Sequence, residues 1–171
     1  MQPLNPKPTC MFRHFFIIMA FLLLICSPSG GQVHYYITDS RDGQYYRVVH
    51  IDNLWWMAAN LNIGTRIDNA VSQTNNSIIE KYCYNNLKQN CDTFGGLYQW
   101  DELMQYGNVE FYHGICPGGW HVSTHEEWKQ LEAYLGMKQT SIDSMGARGY
   151  NQGGMLKSKG TEYWVSPNSQ A

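Results

Sequence analysis

The sequence is short of charge. Lysine, arginine, aspartate and glutamate make up 15% of its 171 residues, against about 25% in an average soluble domain. Neither sign prevails: twelve basic and fourteen acidic side chains give a formal net charge of -2. That excludes the basic balance of a nucleic-acid binder and the like-charged composition of a disordered polyelectrolyte. Long apolar stretches are also missing. The longest, Phe15 to Cys26, has twelve residues, whereas a membrane-spanning helix needs about 20, so no transmembrane span is expected. There is no CxxC pair, no GxSxG, no phosphate-binding glycine loop and no dinucleotide fingerprint. What is plentiful is glycine (16), tyrosine (12) and tryptophan (6), a composition that suggests one loop-rich domain with an aromatic core.

The Phe15–Cys26 run follows Arg13-His14 and precedes Ser27-Pro28-Ser29-Gly30-Gly31. A basic flank, an apolar stretch and small residues make a secretory signal peptide. The expected organisation is therefore a signal over 1–31, with Met11 as an alternative start, and a mature domain over 32–171. Cleavage after Gly31 would leave Gln32 first. A lipid anchor on Cys26 is less favoured, because Ile25 stands where a lipoprotein box wants a small residue. The protein is expected to be secreted or held on the cell envelope.

Export permits disulfides. Cys10 and Cys26 leave with the signal; Cys83, Cys91 and Cys116 remain. Cys83 and Cys91 flank the polar stretch YNNLKQN, which doubles back easily, so these two are expected to pair. Cys116 is left as a free thiol, an intermolecular partner, or half of a bridge whose other half lies outside this chain. No zinc pattern fits the spacing.

The mature chain opens with two β-prone runs around Asp42-Gly43, a hairpin signal, and Asp52-Asn53 turns into LWWMAANL. A small antiparallel meander is expected. Residues 60–77 are polar and read as a surface loop, with Asn75-Asn76-Ser77 a glycosylation sequon by pattern. A short strand or turn over 78–82 and an extended Leu97–Trp100 come next. Asp101 is expected to cap a brief helix ended by Gly107. The one clear helix is Thr124–Leu135: Thr124 and Glu127 stand at capping-box positions, Trp128, Leu131 and Leu135 share a face, and Gly136 stops it. Tyr163-Trp164 is expected to start a strand.

Four stretches together resemble a known family. They are DGQYYRVVHIDNLWWMAANL, YCYNNLKQNCDTFGGLYQW, GICPGGWHVSTHEEWKQLE and GGMLKSKGTEYWVSPNSQA. In this order they are similar to the motifs of the Fibrobacter succinogenes major paralogous domain, common in secreted and surface proteins of Bacteroidetes and Fibrobacteres. Asp52-Asn53 stands where Gly-Asn is usual, and Ser123 where proline is usual. The resemblance implies an α+β, C-type lectin-like fold of short antiparallel strands, one clear helix and long loops. It also implies that family members continue past Ala171 to a C-terminal cysteine, which would make this chain a fragment and supply a partner for Cys116. A fragment is expected to be marginally stable. The segment WHVSTHEEWKQLE is similar as well to a motif of formylglycine-generating sulfatase modifiers, which share that fold.

Trp55, Trp56, Tyr98, Trp100, Trp120, Trp128 and Trp164 could stack on sugars, but core packing is the favoured reading of each. Ser166-Pro167-Asn168 lacks the carboxylate of a calcium-dependent sugar site. His121 and His125 straddle the helix cap, so a shared metal is not expected. His113, Cys116 and His121 are close in sequence but are not read as a catalytic set. Glu126 and Glu127 suit the positive end of the helix. No catalytic, cofactor or metal residues are expected, and no cofactor. The leading reading is a secreted or cell-surface, non-catalytic binding or display module for an extracellular glycan or protein. The alternatives are a purely structural part of surface proteins and an enzyme related to the sulfatase modifiers. Protein recovered from its host is expected to start at Gln32 with one free thiol. Intact mass with thiol counting checks this, and three free thiols would exclude the Cys83–Cys91 bridge.

Overall fold

The structure, a computed structural model, describes residues 34–166. The signal segment, Met11, Cys10, Cys26, Gln32 and the Pro167-Asn168 pair lie outside these residues. The fold is α+β, with short strands, mostly antiparallel, and short helices. Strands β1 (Tyr35–Thr38), β2 (Tyr45–Ile51) and β3 (Leu54–Met57) form an antiparallel meander in the order β1-β2-β3, as the Asp42-Gly43 and Asp52-Asn53 signals lead one to expect. Alternation along β2 sets its face: Tyr46 and Val48 are buried while Tyr45, Arg47 and Val49 are exposed, the period of two that a half-buried strand requires. Asp52 takes a left-handed φ of 55° at the second turn, which aspartate tolerates better than most residues.

The first turn carries an ion pair whose acidic end is buried. Asp39 is 1% exposed. Its carboxylate accepts from Arg41 Nε at 2.9 Å, from Arg41 Nη2 at 2.6 Å and from the Arg41 amide at 3.0 Å. Arg41 Nη2 also donates to the Ile115 carbonyl at 2.8 Å. The turn is thereby tied to a segment more than seventy residues away.

Residues 60–77 are not simply a surface loop. Thr65–Arg66 (β4) pairs in parallel with Glu80–Lys81 (β5), and Ile63 and Gln73 are buried. Gly64 sits so close to Ile79 that any Cβ would collide with the Ile79 carbonyl, so only glycine lets these backbones meet. Gln73 acts as a polar node. Its amide NH2 donates to Glu80 O at 3.0 Å, its carbonyl accepts from the Gln99 amide at 2.6 Å, and its backbone amide donates to Tyr82 Oη at 3.1 Å. Tyr82 and Leu97 form an antiparallel bridge beside it.

Cys83 and Cys91 are bonded, with Cα atoms 5.0 Å apart. The stretch between them is not the expected loop. It forms a 3-10 turn (Tyr84–Asn86) and then helix α1 (Lys88–Phe94), which carries Cys91. Closing eight residues of separation stabilises the fold by about 2.5 kcal/mol in the chain-entropy account. Helix α2 (Trp100–Leu103) is capped at Gln99 rather than Asp101, which falls inside its first turn. Its Glu102 is 1% exposed and accepts from the Glu80 amide at 2.9 Å, Gln105 Nε2 at 3.3 Å and Tyr106 Oη at 3.0 Å.

Helix α3 (His125–Tyr134) has the expected capping box, with Thr124 as N-cap and Leu135 as C-cap. Gly136, at φ 84°, takes the left-handed conformation that ends many helices. Leu131 is its buried contact, while Trp128 is exposed and Leu135 half-buried. Short helices α4 (Gln139–Ile142) and α5 (Gln152–Met155) follow. Lys129 bridges Glu126 and Asp143 at 3.5 and 3.2 Å, and Arg148 bonds Glu132 at 3.1 Å, so α3 is stapled to the chain after it. Tyr163-Trp164 lies in a bend, not at the start of a strand. Both rings instead pack locally, Tyr163 against Phe94 and Trp164 beneath Lys157 Nζ.

Asp39→Ala would leave the part-exposed Arg41 guanidinium without its carboxylate and should destabilise the fold by about 1–2 kcal/mol, read as a lower urea midpoint. Arg41 holds the Asp39 carboxyl below its ordinary value of 3.8, against the opposing effect of burial. The pair's contribution is then complete above the unfolded value and is lost as pH falls through the lower folded one. The wild-type and Asp39→Ala midpoints should converge as pH falls through the lowered folded value.

Candidate functional site

The tryptophans are not the core. Trp55, Trp100, Trp128 and Trp164 are 45%, 64%, 46% and 40% exposed, while Trp56 and Trp120 are half-buried. Of the seven aromatic candidates, Tyr98 comes closest to a core role: it is half-buried, and its Oη donates to Ile63 O at 2.7 Å. The buried apolar positions are smaller, among them Val48, Ile63, Met104, Ile115, Leu131 and Ile142. The reason is placement. Trp55 and Trp56 stand on β3, which among the described residues has no neighbour beyond it in the sheet. Trp100 opens a one-turn helix, and Trp128, in the first turn of α3, meets Trp56 but is otherwise left open.

Four of these rings gather at one place. Trp55 and Trp56 from β3, Trp120 from the segment before α3, and Trp128 from α3 line a groove of about 570 Å³. Trp56 and Trp128 touch, with centroids 5.1 Å apart and planes tilted by 55°. Trp55 is braced from its other side by Tyr35 at 5.0 Å and His50 at 4.8 Å. The groove's ionisable lining is confined to Cys116, His121 and Glu127.

Glu127 serves two structures at once. Its Oε2 accepts the Thr124 amide at 2.8 Å, completing the helix cap. Its Oε1 accepts from His121 Nε2 at 2.8 Å, which fixes the groove wall. Burial would raise its carboxyl pKa, but the Thr124 amide and His121 together hold it below its ordinary 4.5. Glu126 points away, to Lys129. His121 therefore faces Glu127 in the groove, whereas His125 lines a separate depression beside Trp100 and Phe111. Among the described residues, no cluster of three metal-ligating side chains occurs.

Cys116 is buried and unbonded and lies on the groove wall. Burial pushes its thiol pKa up, against a smaller opposing pull from Arg41, so the sulfur stays protonated and weakly nucleophilic near neutral pH. His113 is exposed and donates Nδ1 to the Gly114 carbonyl at 3.0 Å. The three residues His113, Cys116 and His121 thus face different partners. A second cleft, of about 620 Å³, is lined by Tyr45, Phe94, Tyr163 and Trp164 with Asn60 and Asn62. One wall of it is the bend at residues 161–164. The first groove is built on a strand and a helix, which position side chains more rigidly than loops do.

Sequence reasoning missed Asp39, Arg41, Gln73 and Glu102. No periodicity marks them: each is polar, and the burial of Asp39, Gln73 and Glu102 comes from segments distant in the chain. The family model described as Fibrobacter succinogenes major domain matches residues 49–171, which include the whole groove. The chain belongs to that family. No curated protein and no solved structure matches it.

Glu127→Gln keeps the shape of the cap but removes its charge, and should cost about 1 kcal/mol at pH 7. The wild type has this increment above the unfolded carboxyl value and loses it as pH falls through the lowered folded one. Urea midpoints at pH 7 and pH 3 check this: the gap between the two proteins should close in acid.

Proposed function

We propose that this member of the family is an exported, non-catalytic binding module whose ligand, an extracellular glycan or protein, lodges in the groove between β3 and α3. The observation that carries the reading is the gathering of four tryptophans at one opening, two of them about half exposed. Large apolar surface left open on a folded domain marks an interaction site more often than chance. Indole rings give much contact area for little lost conformational freedom. The export reading draws support from the apolar segment near the N-terminus and from the Cys83–Cys91 bridge. The C-type lectin-like architecture is part of the same proposal, supported by the short strands and long loops of the fold.

A non-catalytic role agrees with the chemistry at the groove. Glu127 is committed to the helix cap and His121, and the Cys116 thiol is held protonated. Trp128 is the ring to test, because it is exposed and contributes no strand hydrogen bond. Screening glycans and extracellular proteins from the native host against the full chain should yield a ligand that changes tryptophan fluorescence. Trp128→Ala should weaken that ligand tenfold or more, about 1.4 kcal/mol, with little change in the urea midpoint. A ligand held equally well by Trp128→Ala would place binding elsewhere and overturn the reading.

A further inference from the structure

The groove is more than an aromatic surface, because it runs along the open edge of a sheet. Asn53, Leu54, Trp55, Trp56 and Met57 all line it. Successive side chains of a strand point to opposite faces, so the four consecutive residues of β3 can share one groove only along the strand's edge. The hydrogen-bond phase of β3 follows from one contact. The Ala58 amide donates to Arg47 O at 2.8 Å, and the register Val48↔Met57 places Ala58 opposite Arg47. Arg47 and Ala58 are therefore a hydrogen-bonded pair. In an antiparallel ladder such pairs alternate, so Trp56 and Leu54 also bond to β2. The N–H and C=O groups of Trp55 and Met57 then point outward, into the groove. Among the described residues, no hydrogen bond to those four groups is found.

We propose that this edge takes an extended peptide strand from an extracellular protein, which adds to the sheet as a fourth strand beside β3. This rests on the binding role proposed above and names the class of ligand. The row of backbone donors and acceptors selects it. Such a row repeats about every 6.8 Å along a strand, the spacing of another extended backbone, and strand addition takes its affinity from these bonds. Sugar hydroxyls are met instead by side-chain amides and carboxylates. Among the described residues the groove's one carboxylate, Glu127, is already bonded to His121 and Thr124, and its one side-chain amide, Asn53, sits in the turn at its end. The strand's side chains would alternate between the Trp56–Trp128 side and the Trp55–Met57 side. Both sides are apolar, so the occupant is an uncharged segment rich in apolar residues, and four residues would span β3.

The test uses the full chain and a set of ten-residue neutral peptides with alternating apolar and polar residues. Controls are the best peptide with N-methyl groups on alternate amides, in both phases, and neutral oligosaccharides. The expected result is quenching of tryptophan fluorescence by at least one peptide and a tenfold or greater loss of binding in one N-methylated phase. Hydrogen exchange at the Trp55 and Met57 amides should slow tenfold or more on binding, while Leu54 and Trp56, already bonded to β2, should hardly change. Equal binding of both N-methylated forms, or unchanged exchange at Trp55 and Met57, would overturn the strand. Oligosaccharide binding that Trp128→Ala weakens, with no peptide bound, would overturn the strand and keep the broader reading. Neither class reaching the groove would overturn both. Slowed exchange at Trp55 and Met57 that depends on protein concentration without peptide would assign the edge to a second copy of the chain and overturn the proposal.

Discussion

The Asp39 carboxylate is the contact on which the arrangement of this domain most depends. It is buried, so it requires a partner, and the partner is two residues along the same turn. An isolated buried charge would be costly. The turn must therefore close with Arg41 folded back, which sets the start of β2 and so the phase of the meander. The same guanidinium reaches the Ile115 carbonyl, next to Cys116 on the groove wall. One ion pair thus fixes both the sheet and its distance from the segment that faces its edge. A shift of one residue in this turn would exchange the faces of the β1 side chains relative to β2.

Polar nodes of this kind stand in for a large apolar core. Asp39, Gln73, Thr124 and Glu102 are as buried as the apolar residues around them. Glu102 joins β5 to the turn after α2, and Gln73 joins the β4–β5 connection to Gln99. Satisfied networks of this sort select one arrangement more sharply than apolar packing does, because a displaced member leaves its partners unpaired in a low dielectric. The disulfide adds a constraint of a different kind, since it acts mainly by narrowing the unfolded ensemble. Together these allow the rings to be spent on the surface.

Local signals carried the parts of the fold that could be read in advance. The Asp42-Gly43 and Asp52-Asn53 turns set the meander, and the α3 capping box needs only Thr124 and Glu127. Cys83 and Cys91 were legible as a pair because so short a stretch separates them. Helix α1 was not, for KQNCDTF has no apolar stripe; it stands on Cys91 and on bonds such as Asn90 Nδ2 to Tyr84 O at 2.7 Å. The two-residue pairing of β4 with β5 was hidden for a similar reason, since its partners meet through Gly64 and the distant Ile79. The tryptophans were misread because residue type favours the interior while position on an edge strand or near a helix end decides exposure. The groove joins residues from β3 to α3, a separation over which no sequence pattern acts.

The shortness of β3 limits what can approach it. A long, flat edge invites pairing with any other sheet, but β3 has four residues and ends in a turn at Asp52-Asn53 and a bend at Ala58. Trp120 and Trp128 stand opposite, so the edge is reached through a slot rather than across an open plane. Apolar rings alone would attract many surfaces with little discrimination, since the hydrophobic effect has no direction. The outward amides and carbonyls of Trp55 and Met57 add direction and spacing to that attraction. Selectivity then comes from desolvation: a ligand that covers the rings without meeting those four backbone groups leaves them buried and unbonded, at a cost of about 1–3 kcal/mol each.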